Sequence, residues 1–301
     1  MSREDKGVTR RRVRRYAQGT VAAPEEDAVA VEEPLEIRVS GDTVAITMRT
    51  PGQDRELAVG FLFSEGIIRS VDDLGGVAYC GRPGEEGWGN ILEVTPAAGL
   101  VLELDRVSAA RRGTLTTAAC GVCGRRSVDD LMAVCSPVAP GPELSPELVA
   151  HATGRLSEVQ RNFAQTGGVH AVAALDATGA LLASAEDVGR HNAVDKVVGT
   201  LVLGGAVRSS RASVSGTAPR PEGPAAVLVV SGRASFEIIQ KAAMARIAVV
   251  ASVSAASSLA IDLAERMGVT LATFVRGGRF NVYTHPLRLK SSSAHGRDGS
   301  R

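Results

Sequence analysis

Two cysteines stand two residues apart in "TLTTAACGVCGRRSVDDL", residues 114–131. Gly121 and Gly124 beside Cys120 and Cys123 let the backbone approach a partner closely, and Arg125 and Arg126 follow. Positive charge and a nearby helix start lower a thiol pKa from its usual value of about 8.5 and enlarge the thiolate population. Such a thiolate can attack a disulfide or a persulfide, or bind a metal. A structural zinc site wants four ligands in paired knuckles. Here Cys80 and Cys135 are single, and Cys135 follows an apolar run that suits a buried cysteine. A zinc deaminase places H-x-E upstream of P-C-x-x-C. In this chain the first histidine, His151, is downstream of the pair, and Ala119 stands where the proline belongs. A thioredoxin-type dithiol follows the first strand of a βαβ unit, usually beside an aromatic. This pair lies in a glycine-rich loop with no aromatic nearby.

Three further stretches could hold a ligand. In "SAEDVGRHNAVDKVVG" the polar residues Arg190, His191 and Asn192 gather at a helix start, where backbone N–H groups favour anions. The same residues would equally serve as a cap and a surface ion pair. In "VVSGRASFE" a strand, Ser231-Gly232-Arg233 and a helix follow one another, the order of a phosphate cradle. In "FVRGGRFNVYTHP" the arginines Arg276 and Arg279 flank a diglycine at the end of a strand and could wrap a diphosphate. Open α/β sheets bind ligands at such carboxyl ends. The three together point to a nucleotide-like anionic ligand.

The elements that must position these groups follow from periodicity. "LEIRVSGDTVAITM" alternates about "SGD" and predicts a hairpin; "DRELAVGFLFSEG" predicts a helix from Asp54 to Gly66. "NILEVTP" and "GLVLEL" read as two more strands, giving a small β-rich sheet with one helix. Ser127 with Asp130 marks a helix start after the cysteines. "SPELVAHATGRLSEVQRNFAQTGG" has helical spacing. "VHAVAAL" and "LLASAED" predict a second hairpin, followed by alternating helices and strands to "VTLATFV". The expected architecture is α/β (α+β overall), a three-layer C-terminal domain with a mixed sheet and a smaller β-rich N-terminal domain. The expected boundaries are a disordered basic arm over 1–27, an N-terminal domain over 28–113, and a mobile CxxC loop over 114–127. The C-terminal α/β domain follows over 128–290, with a disordered tail over 291–301. Ser/Pro/Gly-rich "RSSRASVSGTAPRPEGP" reads as a flexible insertion.

Composition narrows the class. The chain has 301 residues, 44% hydrophobic and 22% charged, ordinary for a globular protein. A net charge of +1 and 3% aromatic residues argue against a nucleic-acid partner. No apolar run reaches membrane-spanning length, and none follows the basic N-terminus as a secretory signal requires. A cytoplasmic location, no membrane partner and no tightly bound catalytic metal are therefore expected.

The stretches "ELAVGFLFSEGII", "CGVCG", "GGVHAVAAL", "EDVGRHNAVDKVVG", "VSGRASFEIIQKAAMA" and "FVRGGRFNVYTHP", in this order over roughly 35–289, resemble the FdhD family of formate dehydrogenase accessory sulfurtransferases. The resemblance implies a sulfur carrier that accepts persulfide sulfur from a cysteine desulfurase. It implies transfer of that sulfur to the molybdenum of bis(molybdopterin guanine dinucleotide) before the cofactor enters formate dehydrogenase. It makes Cys120 the carrier and Cys123 its assistant, and assigns Phe274, Val275, Arg276, Gly277, Gly278 and Arg279 to the cofactor. Arg190, His191, Ser231 and Arg233 are the secondary cofactor contacts. The resemblance also implies a cytidine deaminase-like C-terminal fold and a homodimer. One departure is visible: Ala118 and Ala119 stand where family members often carry serines, which removes hydroxyl donors beside the thiolate. The rival reading is a non-catalytic cofactor-binding chaperone with regulatory thiols; a dithiol oxidoreductase is the third.

Overall fold

The arginine-rich start of the chain is paired with the acidic stretch that follows it. The computed structural model describes residues 7–85, 88–102, 135–139, 143–207 and 225–290. Strand β1 (Val8–Val13) runs antiparallel to β4 (Glu25–Ala30), with the short β2 (Tyr16–Ala17) and β3 (Thr20–Val21) closing the turn between them. The register sets Arg11 opposite Asp27 and Arg12 opposite Glu26. Arg15 reaches both Glu25 and Asp27, the latter at 3.2 Å. Complementary charges set directly across a ladder stabilise it. Residues 8–30 are therefore a β-ribbon, not the disordered arm that the basic residues alone suggest.

Strands β5 (Glu33–Val39) and β6 (Asp42–Arg49) form the expected hairpin, turning through Ser40 and Gly41, both at positive φ. Its inward residues Leu35, Ile37 and Val39 are fully buried. After α1 (Asp54–Ser64) come β7 (Leu74–Tyr79) and β8 (Ile91–Pro96), completing a sheet ordered β6-β5-β8-β7. Strand β7 is not legible in the sequence because Gly75 and Gly76 interrupt its alternation. The expected strand "GLVLEL" is not formed over its described part: Gly99 sits in a turn and Leu100–Leu102 are irregular. The rest of it, the expected helix start at Ser127, and the boundary near 113–128 lie outside the described residues.

The second half begins with α2 (Pro146–Val159), capped by Ser145, whose hydroxyl accepts from the Glu147 N–H. The single expected helix is divided at Gln160 (ψ 58°), and α3 (Arg161–Thr166) follows, ending on Gly167 at φ 63°. The hairpin β9 (His170–Leu175) and β10 (Leu181–Asp187) then leads through α4 (Arg190–Leu203), β11 (Val227–Val230), α5 (Phe236–Met244), β12 (Val249–Ser252) and α6 (Ser258–Met267). Strands β13 (Thr270–Arg276) and β14 (Arg279–Val282) complete the sheet. The six-stranded mixed sheet is ordered β10-β9-β11-β12-β13-β14, with β11, β12 and β13 parallel. Val172, Ala174, Leu228 and Val250 face α4, α5 and α6; Ala171, Ala173, Val229 and Ala251 face α2. This is the expected three-layer α/β arrangement. The Ser/Pro/Gly-rich insertion and the C-terminal tail lie outside the described residues.

One core runs through both halves, because α1 packs along α4. The approach is so close that a Cβ on Gly60 would stand 1.8 Å from the Asp195 carbonyl oxygen, and one on Gly199 1.8 Å from that of Glu56. Buried polar contacts fix the register of the two halves. Lys241 on α5 holds both carboxylate oxygens of Asp195 on α4 at 2.7 and 2.9 Å, and Ser64 on α1 donates to the same carboxylate. Lys196 pairs with Asp187 at 2.7 Å and donates to the Thr50 carbonyl at 2.8 Å. Asn192 donates to the Met48 carbonyl at 2.7 Å. Breaking such a pair strands a buried charge, so the two halves are locked rather than loosely docked.

Candidate functional site

A cleft of about 640 Å³ opens at the carboxyl ends of the parallel strands. Its floor is Val253, just past β12, and Val275 at the end of β13. Ser231, one residue past β11, and His170, at the start of β9, form one wall; residues of α2 and α3 form the other, and Arg276 stands at the rim. The position is dictated by topology. Parallel strands deliver their turns to the same edge of the sheet, where backbone N–H groups point outward and charged loops can meet a ligand. The volume suits a substantial small molecule.

Ser231 is anchored by its neighbour strand. Its hydroxyl accepts from the Ala171 N–H at 3.0 Å, and its N–H donates to the Ala171 carbonyl at 3.0 Å. The same hydroxyl lies 3.5 Å from His170 Nδ1. Gly232 is where His170 and Arg190 meet. A Cβ there would stand 3.4 Å from His170 Nδ1 and 3.6 Å from Arg190 Cδ, so the imidazole and the guanidinium stem both pack against this buried glycine. Arg190 Nε is buried and has no hydrogen-bond partner among the described residues. Burial first, and then the Arg190 charge, hold the His170 imidazole below the usual histidine pKa, against the opposing pull of Asp187. The donor set is thus cationic and hydrogen-bonding, suited to phosphate oxygens.

The expected Arg-Gly-Gly-Arg loop is a two-residue hairpin turn. Arg276 pairs with Arg279 across the β13–β14 ladder, and Gly277 and Gly278 both take positive φ. It is therefore a hairpin tip that sets the two arginines opposite each other across the ladder. Phe274, at the bulge before it, is a non-glycine residue at φ 52° and is exposed. Strain of this kind persists where the surroundings impose it and is concentrated at functional sites.

Of the residues expected to bind, Ser231, Val275 and Arg276 line the cleft together. Phe274, Gly277, Gly278 and Arg279 extend from it as the exposed hairpin tip, and Arg233 is exposed at the start of the turn into α5. His191 is placed elsewhere. It is buried between α4 and α5, with Nδ1 3.1 Å from Glu237 Oε2 and Nε2 3.1 Å from the Ser235 hydroxyl. The other polar residues of its motif, Asp187, Asn192, Asp195 and Lys196, serve the buried network that joins the halves. Sequence reasoning missed His170. Its signal was present in the strand "GGVHAVAAL", where a histidine opens an otherwise apolar strand next to a glycine pair. Cys135 is buried, its thiol 3.5 Å from the Ala243 carbonyl, as its apolar context suggested. Cys120 and Cys123 lie outside the described residues.

A six-stranded mixed sheet covered on both faces, with a cleft at its parallel carboxyl edge, defines an open-sheet α/β protein. Residues 30–290 match the model of the FdhD/NarQ family, and the chain belongs to that family. It is 56% identical over 263 residues to the sulfur carrier protein FdhD of Anaeromyxobacter dehalogenans strain 2CP-1, covering 87% of this chain and 88% of that one. It is 44% identical over 294 residues to the sulfur carrier protein FdhD of Streptomyces avermitilis, covering 95% and 98%. The fold is shared with a crystal structure described as a candidate formate dehydrogenase accessory protein from Desulfotalea psychrophila. That match has a TM-score of 0.69 and 24% identity, covering 94% of this chain and 99% of that one. Among the described residues no helix is long and apolar enough to cross a membrane.

Proposed function

We propose that this protein is a sulfur carrier in formate dehydrogenase maturation. The observation that carries the reading is identity of 44–56%, over 87–95% of the chain, to proteins named sulfur carrier protein FdhD. In this reading the Cys120 thiolate takes the terminal sulfur from the persulfide of a cysteine desulfurase, whose own cysteine leaves as thiolate. The rate of such exchange follows the thiolate fraction and access of the attacking group, and Arg125 and Arg126 raise that fraction. Cys123 either attacks the inner sulfur of the Cys120 persulfide, forming a Cys120–Cys123 disulfide and releasing the terminal sulfur as hydrosulfide, or hydrogen-bonds the persulfide. A Cys123→Ser variant separates these roles, because a hydroxyl keeps the hydrogen bond but not the attack.

The acceptor is the bis(molybdopterin guanine dinucleotide) cofactor, bound as substrate in the cleft and along the Phe274–Arg279 tip. Arg276 is its leading phosphate contact, with Ser231, Arg190, Arg233 and Arg279 in support. His191 acts through the packing of α4 on α5. The Ser231 hydroxyl, the Arg276 guanidinium at the rim and the Arg190 charge packed behind His170 suit the cofactor's diphosphate. The protein works as a cytoplasmic homodimer.

The test is mass spectrometry of the protein after incubation with a cysteine desulfurase and cysteine. One reducible sulfur atom on the peptide holding Cys120 is expected, and its absence from that peptide overturns the reading. A Cys120→Ala protein that still supports formate dehydrogenase activity would favour the chaperone alternative instead.

A further inference from the structure

We propose that His170, backed by the Arg190 charge, forms the phosphate contact of the cleft, and that a nucleoside diphosphate binds there together with one proton, taken from solvent onto the imidazole. The inference rests on the reading of the cleft as a nucleotide site and adds a residue and a linkage to it.

The geometry is specific. His170 lines the cleft, and its Nδ1 is 3.5 Å from the Ser231 hydroxyl. That hydroxyl already accepts the Ala171 N–H, so it is free to donate in turn. Arg190 meets the ring at Gly232 and brings a buried, unpaired Nε, counted among the described residues. A ligand oxygen at this wall is offered an N–H donor by the imidazolium once the ring is protonated, with the Arg190 charge packed behind it.

The charges around the ring decide when it takes the proton. From β10, Asp187 pairs with His170 in the ladder, but its carboxylate is engaged by Lys196 at 2.7 Å and by the N–H groups of Thr50 and Gly189. From α4 comes the Arg190 cation; from β13 comes Arg276 at the rim. The β11–α5 turn contributes the uncharged Ser231 and Gly232 and, beyond them, the exposed cation Arg233; Val253, just past β12, is uncharged. The α2–α3 wall offers the neutral Thr153, Ser157 and Gln160. Burial of the ring, and then the Arg190 cation, favour the neutral imidazole over the opposing pull of Asp187, and lower its pKa. A diphosphate brings the missing negative charge and reverses that preference.

The probe is GDP, titrated calorimetrically against the full chain in buffers of different ionisation enthalpy between pH 6 and 8. Proton uptake on binding is expected near pH 7. The affinity gain on going from pH 7.5 to 6 should be roughly five- to tenfold larger for the native protein than for His170→Gln. GDP's own phosphate titration is common to both proteins and cancels in that comparison. Uptake is read on the unsubstituted protein, so a poorly folded variant does not decide the matter. GDP binding without proton uptake, or with the same pH dependence in both proteins, overturns the proposal and leaves the nucleotide reading standing. No GDP binding at any pH overturns both.

Discussion

Replacing Gly60 by alanine should destabilise this protein, although the same change in most helices does the opposite. Glycine in a helix interior costs roughly 0.5–1 kcal/mol relative to alanine, because its unfolded state is freer. At Gly60 the new Cβ would lie 1.8 Å from the Asp195 carbonyl oxygen, 2.6 Å from its carbon and 2.8 Å from the Gly199 nitrogen. All three are helix backbone atoms, which cannot rotate away. Helices α1 and α4 must part by roughly 1.5 Å to restore ordinary contact, and close-packed interiors resist such a shift. The shift would loosen the apolar contacts along both helices and pull Asp195 from Lys241 and Ser64. Overpacking alone costs about 1–3 kcal/mol, and the strained ion pair adds to it. A net loss of about 2 kcal/mol or more is expected in urea unfolding followed by far-ultraviolet circular dichroism. Gly199→Ala, whose Cβ would meet the Glu56 carbonyl at 1.8 Å, should behave alike. The double variant should lose less than the sum, since one separation relieves both clashes. Gly154→Ala on α2 is the control: nothing lies within 4 Å of its Cβ, so it should be neutral or gain up to about 1 kcal/mol. A Gly60→Ala protein as stable as the parent would refute the reasoning.

Lys241→Met should cost about 3–5 kcal/mol, read by the same unfolding assay, because it leaves the Asp195 carboxylate buried without its partner. Burial already pushes Asp195 up to about 6 in spite of Lys241. Adding Asp195→Leu to Lys241→Met should recover much of that loss, since no charge then remains. Arg276→Ala should weaken GDP binding roughly tenfold, the worth of one charge-assisted hydrogen bond, and Arg279→Ala should weaken it less, because only Arg276 lines the cleft; equal losses would place the phosphate on the outer face of the tip. Acidification should destabilise the protein through His170. Its folded pKa lies below the ordinary 6.5, so as pH falls below 6.5 the unfolded chain takes the proton first, and stability drops until the folded ring titrates as well. His170→Gln should flatten that part of the stability profile, measured as urea midpoints from pH 5 to 7.

Much of the fold is legible in the sequence because its elements carry strong local signals. The alternation about Ser40–Gly41, the Ser145-Pro146 start of α2 and the apolar strands of the second half all predict what forms. The elements missed are those whose partners are remote. Strand β7 hides behind two glycines, and β14 exists because Arg276–Arg279 folds back on β13. The ribbon of β1 and β4 needs the match between arginines and acidic residues fifteen or so positions apart in register, which composition averages away. The candidate site divides in the same manner. Ser231, Val275 and Arg276 are recognisable because strand-end turns converge whenever strands are parallel. His191 is not separable from Arg190 by sequence, since one residue of helical rotation, about 100°, turns it from the cleft side into the α4–α5 contact.

By itself the chain determines its family, its alternating α/β second half, its CxxC pair and the strand-end turns that bear arginine, because each depends on local spacing or on short motifs. The tertiary structure decides which polar residues face a ligand and which are consumed by the core. Asp187, Asn192, Asp195 and Lys196 look like a binding motif and instead bolt α4 to the first half, whereas His170 looks like part of an apolar strand and opens into the cleft. The physical reason is that burial and partnership are properties of distances between segments far apart in the chain. They arise only when α1 closes on α4 at Gly60 and Gly199.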